Sequence, residues 1–156
     1  MKQIKRLFLF LVPCALCLAA CTTVDLYEKT VAIPGHKWQS SFKPSFTFTI
    51  KDSTKSYQLF FVIRHNEKYN FKNIYLNLYT KLEGQDSTQK LPSVSVDLAS
   101  NENWLGTGMD DIYEHRALIS EQTLKAGTYT FTLEQIMRED PLENVLNAGL
   151  RIEKKQ

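Results

Sequence analysis

From residue 46 onward the chain repeatedly alternates apolar and polar residues, and a period of two commits such a chain to β structure. Phe46, Phe48 and Ile50 alternate with Thr47 and Thr49. Ile74, Leu76 and Leu78 alternate with Tyr75, Asn77 and Tyr79. Val94, Val96 and Leu98 do so with Ser95 and Asp97, and Tyr129, Phe131 and Leu133 with Thr128, Thr130 and Thr132. Residues 57–63 (YQLFFVI) are apolar on both faces, the pattern of a central strand. Residues 112–119, with Glu114 and Arg116 outward, residues 145–153 and residues 26–33 raise the total to about eight strands. Turn signals separate them: Pro34-Gly35, residues 51–53, residues 83–86, residues 106–108 and Ala126-Gly127. No long segment has helical periodicity; only residues 140–143 (DPLE) suit a short helical turn, with Asp140 as cap and Pro141 in the first turn. The expected fold is all-β, an antiparallel β-sandwich, with the jelly roll as one form of it.

The first twenty residues are of a different kind. Lys2, Lys5 and Arg6 precede an unbroken apolar run over residues 7–20, which is 14 residues against the roughly 20 that a membrane span needs. A charged start, a short apolar stretch and a small-residue exit describe a cleaved signal peptide. The exit, Leu18-Ala19-Ala20-Cys21, resembles the bacterial lipobox, in which the Cys thiol accepts a diacylglycerol group. The expected organisation is a lipoprotein signal peptide over 1–20, a lipidated tether over 21–30 and a β-sandwich over 31–156. Cys14 and Cys17 have the spacing of a redox or zinc motif but lie inside the leader. With Cys21 acylated, the mature domain has no thiol left for a disulfide or a metal.

Charge narrows the function. Lys2, Lys5 and Arg6 account for three of the 19 Lys and Arg, whereas all 17 Asp and Glu follow residue 20. The mature part is therefore close to neutral and lacks the basic footprint of a nucleic-acid binder. Phosphate-binding loops, G-x-S-x-G and H-E-x-x-H are absent from the sequence. His36, His65 and His115 lie 29 and 50 residues apart, a spacing that does not itself imply a metal site and that suits separate surface or turn roles. Asp110 and Asp111 are neighbours whose side chains diverge on a strand or turn, poor geometry for shared acid–base work. No catalytic set, metal or cofactor is expected.

Two stretches stand out. Residues 97–116 (DLASNENWLGTGMDDIYEHR) place Trp104 beside Asn101 and Asn103 in a turn-rich loop. An indole face with flanking amides suits a sugar, with Trp38 as a second candidate platform; the other reading is a capping loop with Trp104 packed over the sandwich end. Oxygen-rich spacing there could hold Ca²⁺, but the regular ligand positions of a calcium loop are missing. In residues 135–153, Arg138, Asp140 and Arg151 form a candidate charge network.

The lipobox, the segment WLGTGMDDIYEHR, the strand AGTYTFTLEQIMR and the closing GLRIE together resemble GldH, a gliding-motility lipoprotein family of Bacteroidetes-type bacteria. The resemblance covers most of residues 21–154 in the same order. It implies a non-enzymatic envelope lipoprotein that serves gliding and the type IX secretion route by contact with other envelope proteins. Cys21 is the one position to which it gives a definite role, as the acylated residue. The alternative is a glycan-binding β-sandwich lipoprotein using Trp104, Asn101 and Asn103. In such bacteria, acidic residues directly after the lipidated Cys resemble a surface-export signal; here Thr22, Thr23 and Val24 precede a single Asp25. The expected location is thus the outer membrane, facing the periplasm. Asp52-Ser53-Thr54 and Asp86-Ser87-Thr88 resemble the O-glycosylation site of these bacteria, making Ser53 and Ser87 candidate sites in expected hairpin loops; both are equally ordinary polar turns.

Overall fold

The computed structural model describes residues 26–155 apart from Glu102. Twelve strands are present among them: β1 (Leu26–Ala32), β2 (Lys37–Trp38), β3 (Ser45–Ile50), β4 (Ser56–Asn66), β5 (Asn73–Leu82), β6 (Gln89–Lys90), β7 (Val94–Asp97), β8 (Thr107–Met109), β9 (Ile112–Thr123), β10 (Gly127–Gln135), β11 (Leu142–Glu143) and β12 (Val145–Lys154). Eight of them are the strands that alternation predicts. The four others, β2, β6, β8 and β11, have two or three residues each and are too short to carry a periodic signal.

One sheet has the order β1-β12-β4-β9-β8, and the other β3-β10-β5, with β6 and β7 both pairing the far edge of β5. A two-stranded ribbon, β11-β2, stands apart. Every pairing is antiparallel. Among the eight main strands, β5 pairs β7, β4 pairs β9, β3 pairs β10 and β1 pairs β12. The chain is therefore one long hairpin, rolled so that successive strand pairs fall in alternate sheets. That is the jelly-roll form of the sandwich.

Alternation decides which side chains enter the core. In β3, Phe46, Phe48 and Ile50 are buried while the residues between them are exposed. They meet Leu59, Phe61, Ile63, Ile74, Leu76, Leu78, Phe131, Leu133, Leu150 and Ile152 in one cluster between the sheets. β4 is central in its sheet, between β12 and β9; Leu59, Phe61 and Ile63 are fully buried on its inner face, while its outer face carries Gln58, Phe60, Val62 and Arg64. Val62 points away from that core and is still only 1% exposed. Opposite it in register stands Arg116, whose guanidinium crosses the sheet to Glu28 on β1.

Several expectations change. Residues 26–30, part of the expected tether, are strand β1, paired along its length with β12; a tether reaching only to residue 25 lies outside the described residues. Residues 140–143 hold no helical turn. Asp140 instead accepts hydrogen bonds from the Ser40 N–H and hydroxyl, and the following Leu142 and Glu143 pair with Trp38 and Lys37. Gly106-Thr107-Gly108 is not a simple turn, because Thr107–Met109 is β8, and the turn comes at Asp110-Asp111, with Asp110 at φ 55°. Arg138, Asp140 and Arg151 do not meet. Arg138 lies 5.5 Å over the Phe71 ring, and Arg151 pairs with Glu28 and Glu153. Arg151 belongs to a different network on the outer face of the β1-β12-β4-β9-β8 sheet, which runs Arg64–Glu114–Arg116–Glu28–Arg151–Glu153.

Candidate functional site

One end of the sandwich gathers aromatic and imidazole groups. His65 is near the end of β4, and His115 is on β9, two residues from the Tyr113 that faces His65 in register. Both histidines point inward and are buried, at 0% and 5% exposure. Their rings stack 4.9 Å apart, and the two Nε2 atoms are 2.9 Å apart. The convergence that sequence spacing did not reveal is a consequence of β4–β9 pairing, because residues 50 apart become diagonal neighbours on one face.

The hydrogen bonds fix the tautomers. A carbonyl oxygen can only accept, so the His65 Nδ1–H donates to Asn66 O at 2.8 Å. Neutral His65 then has an unprotonated Nε2, and the His115 Nε2–H donates to it. Burial lowers the His65 pKa. Burial, with the neighbouring His65 second, lowers His115 to about 4. Two imidazolium ions could not share this contact, and the packed aromatic rings offer no compensating negative charge.

The sign of the pH effect follows. A histidine with a depressed folded pKa stabilises the fold fully above its ordinary value of 6.5 and loses that contribution as pH falls toward about 4. Between pH 7 and pH 5 the unfolding free energy should drop by about 2 kcal/mol. Carboxylates enter later: Glu134, held down to about 2 by hydrogen bonds from Asn77, Lys43 and Tyr79, acts only below pH 4.5. Urea denaturation at pH 7 and pH 5 measures the loss, and a midpoint that does not move contradicts a neutral pair.

Trp104 lies over this pair. Its ring centroid is 4.4 Å from that of His65, 5.6 Å from Tyr113 and 6.3 Å from Tyr69. The loop carrying it is pinned by the Ala99–Trp104 bridge and by the Leu105 N–H donating to Leu98 O. Gly106 passes so close to β9 that any side chain there would strike the Glu114 carbonyl and the His115 ring. Trp104 is half-buried: it caps the sandwich end and also lines a cleft of about 340 Å³ together with Tyr69, Phe71, Lys72, Asn101 and Asn103. The structure thus brings Trp104, Asn101 and Asn103 to one hollow.

The other candidate residues are elsewhere. Trp38 is fully buried, with its indole N–H donating to Phe42 O at 2.8 Å, and cannot be a platform for an external ligand. His36 sits in an exposed turn (Pro34–His36). Ser53 and Ser87 are both exposed. Ser87 is in the β5–β6 hairpin as expected, but Ser53 is in the β3–β4 connection, which crosses between sheets. Asp52 accepts hydrogen bonds from the N–H and hydroxyl of Thr54 in that loop and pairs with Lys154 at 2.7 Å. Cys21 lies outside the described residues.

Residues 25–152, which hold every strand except the last two residues of β12, match the model of the GldH lipoprotein family. The chain belongs to the GldH lipoprotein family. It is 27% identical to a gliding motility lipoprotein GldH homolog of Christiangramia forsetii, over 99% of this chain and 98% of that one. It is 28% identical to the gliding motility lipoprotein GldH of Flavobacterium johnsoniae, over 90% of this chain and 92% of that one. Among solved structures, dimeric latent PorU from Porphyromonas gingivalis aligns with 88% of this chain and 13% of its own length, at TM-score 0.41 and 11% identity. At that level the likeness supports no argument about this protein. The GldH match confirms the family that the sequence motifs resemble.

Proposed function

We propose that this GldH-family protein is a non-enzymatic, lipid-anchored component of the cell envelope that supports gliding motility and type IX secretion through contacts with other envelope proteins. Family membership over residues 25–152 carries the reading. In it, Cys21 is the acylated residue, the anchor sits in the outer membrane and the sandwich faces the periplasm. The exposed apolar residues add support. Leu105, just before the short edge strand β8, and Met109, the last residue of β8, are 59% and 72% exposed, and Leu118 on the adjacent β9 is 50% exposed. Large apolar side chains left in water on an edge strand and its neighbour suit protein contact. Ser53 and Ser87 keep the exposure that O-glycosylation requires.

Deleting the gene should abolish surface spreading in a gliding host and reduce secretion of type IX cargo, with both restored by the wild-type chain. A deletion strain that glides and secretes normally overturns the reading. Restoring the strain with a Leu105→Glu, Met109→Glu chain tests the surface. That variant should fold, because both side chains are already in water, and should restore function poorly.

A further inference from the structure

We propose that the hollow between the end of β9 and the β5–β6 hairpin receives an extended peptide segment of a partner protein, which adds a strand to the open edge of β9. The proposal rests on the protein-contact reading and adds a second contact, at the opposite end of β9 from Trp104. The first observation is a pair of orphaned polar groups. Among the described residues, two buried side-chain polar atoms lack a hydrogen-bond partner, Thr80 Oγ1 and Gln122 Nε2. They belong to different sheets, and both residues line one hollow of about 290 Å³. Thr80 continues the inward row of Ile74, Leu76 and Leu78 on β5 and is 7% exposed, so its hydroxyl occupies a core position. Buried polar groups are nearly always bonded, and one left unpaired is costly until something supplies the bond. No bond holds the Gln122 amide, so it can turn into the hollow without breaking one.

The second observation is the lining. All ten residues that line the hollow are described, and none carries a carboxylate or a guanidinium. Lys125 supplies its one ammonium group. Glu83 and Asp86 of the same hairpin line a separate hollow, with Thr47, Thr128 and Thr130. No polar side chain of the lining hydrogen-bonds to another described residue. The carboxamides of Gln85, Gln89 and Gln122 each offer a donor and an acceptor, the complement of a peptide main chain. Leu82, Leu124 and the Tyr129 ring give a peptide side chain an apolar wall. The third observation is the main chain. β9 pairs with β4 along its length, but β8 covers its other edge only from Ile112 to Glu114. From Ser120 to Thr123 no described backbone group bonds to that edge. Ile119 has no partner on β4, a bulge that bends the edge and confines an added strand to residues 120–123. An open edge accepts an extended chain, whose main-chain bonds give affinity while the adjoining hollow selects the side chains. A lone sugar or amino acid would fill the hollow and leave the edge unpaired. Lys125 favours a segment with an acidic side chain.

The full chain in detergent is screened against phage-displayed linear peptides, and the strongest binder is synthesised with and without N-methyl groups on its main-chain amides. Saturable binding is expected, weakened at least tenfold by N-methylation, with amide hydrogen exchange slowed between Ser120 and Thr123. Gln89→Ala with Gln122→Ala should weaken binding at least tenfold without lowering the denaturation midpoint, since neither amide is bonded in the free protein. Thr80→Val removes the unpaired hydroxyl while keeping the side chain's shape, so it should raise the midpoint and weaken binding together. The absence of any saturably binding peptide overturns the proposal. So does binding indifferent to N-methylation or to the double variant, exchange that slows only elsewhere, or a Thr80→Val midpoint that falls. The protein-contact reading is decided separately, because a folded chain that binds no peptide can still restore the deletion strain through β8.

Discussion

Replacing Trp38 with Ala should cost about 4 kcal/mol of stability, the middle of the range for truncating a buried aromatic. The side chain is 0% exposed and its ring packs 6.4 Å from that of Phe61 on the central strand β4. Its backbone is also committed: Trp38 pairs with Leu142 in the β2–β11 ribbon, and its carbonyl accepts from the buried Gln135 amide at 3.2 Å. Truncation leaves a cavity at the joint between ribbon and sandwich, and leaves the Phe42 carbonyl without its indole donor. A domain of this size has about 5–15 kcal/mol in total, so the variant should unfold at a much lower urea concentration. Trp38→Phe should lose less, about 1–2 kcal/mol, because most of the volume is kept while the hydrogen bond is lost. A loss below 1 kcal/mol for the alanine variant would contradict the burial of this joint. The half-buried Trp104 supplies the contrast, since truncation there removes less contact area and should cost less.

The β strands were legible because an interior face and an exterior face impose opposite chemistry on successive residues. Phe46 to Ile50 states this directly, and the unbroken apolar run of β4 states its central position. The rolled-hairpin order was less visible, since alternation shows which face is buried but not which strand lies next to which. The short strands were invisible for a related reason. β2 and β11 are two residues each, and their pairing depends on Ser40 holding Asp140, a contact 100 residues apart in sequence. The candidate site was half legible. A Trp among amides marked the 101–104 loop, yet the His65–His115 pair under Trp104 gave no local signal. It exists only through the β4–β9 register, and His115 also looks like one more residue between the charged Glu114 and Arg116. Trp38 shows the opposite failure. In sequence it resembles Trp104, and burial alone separates the two.

The membrane attachment should rest on a single sulfur atom. The motivation is the Leu18-Ala19-Ala20-Cys21 exit together with membership of a lipoprotein family. Among the described residues, no helix is long and apolar enough to cross a membrane. In Cys21→Ala the acylation site is gone. The sandwich should still form, because its first paired residue is Leu26, opposite Glu153. A diacylglycerol thioether brings two acyl chains, and each buried CH₂ contributes about 0.8 kcal/mol; one chain of myristate length holds only marginally, whereas two hold stably. The variant should therefore keep the wild-type β signal in circular dichroism and lose its outer-membrane fractionation and palmitate labelling entirely. It should collect either as uncleaved precursor in the inner membrane or as soluble protein. Geometry adds a second consequence. The five residue steps from Cys21 to Leu26 span at most about 18 Å, so the anchor would hold the sandwich close to the bilayer. Lengthening that interval with a flexible ten-residue insert should leave labelling and folding unchanged while impairing secretion, if contact with envelope partners depends on height above the membrane. A Cys21→Ala protein that still takes up palmitate and still sediments with the outer membrane would overturn the anchor and its position together.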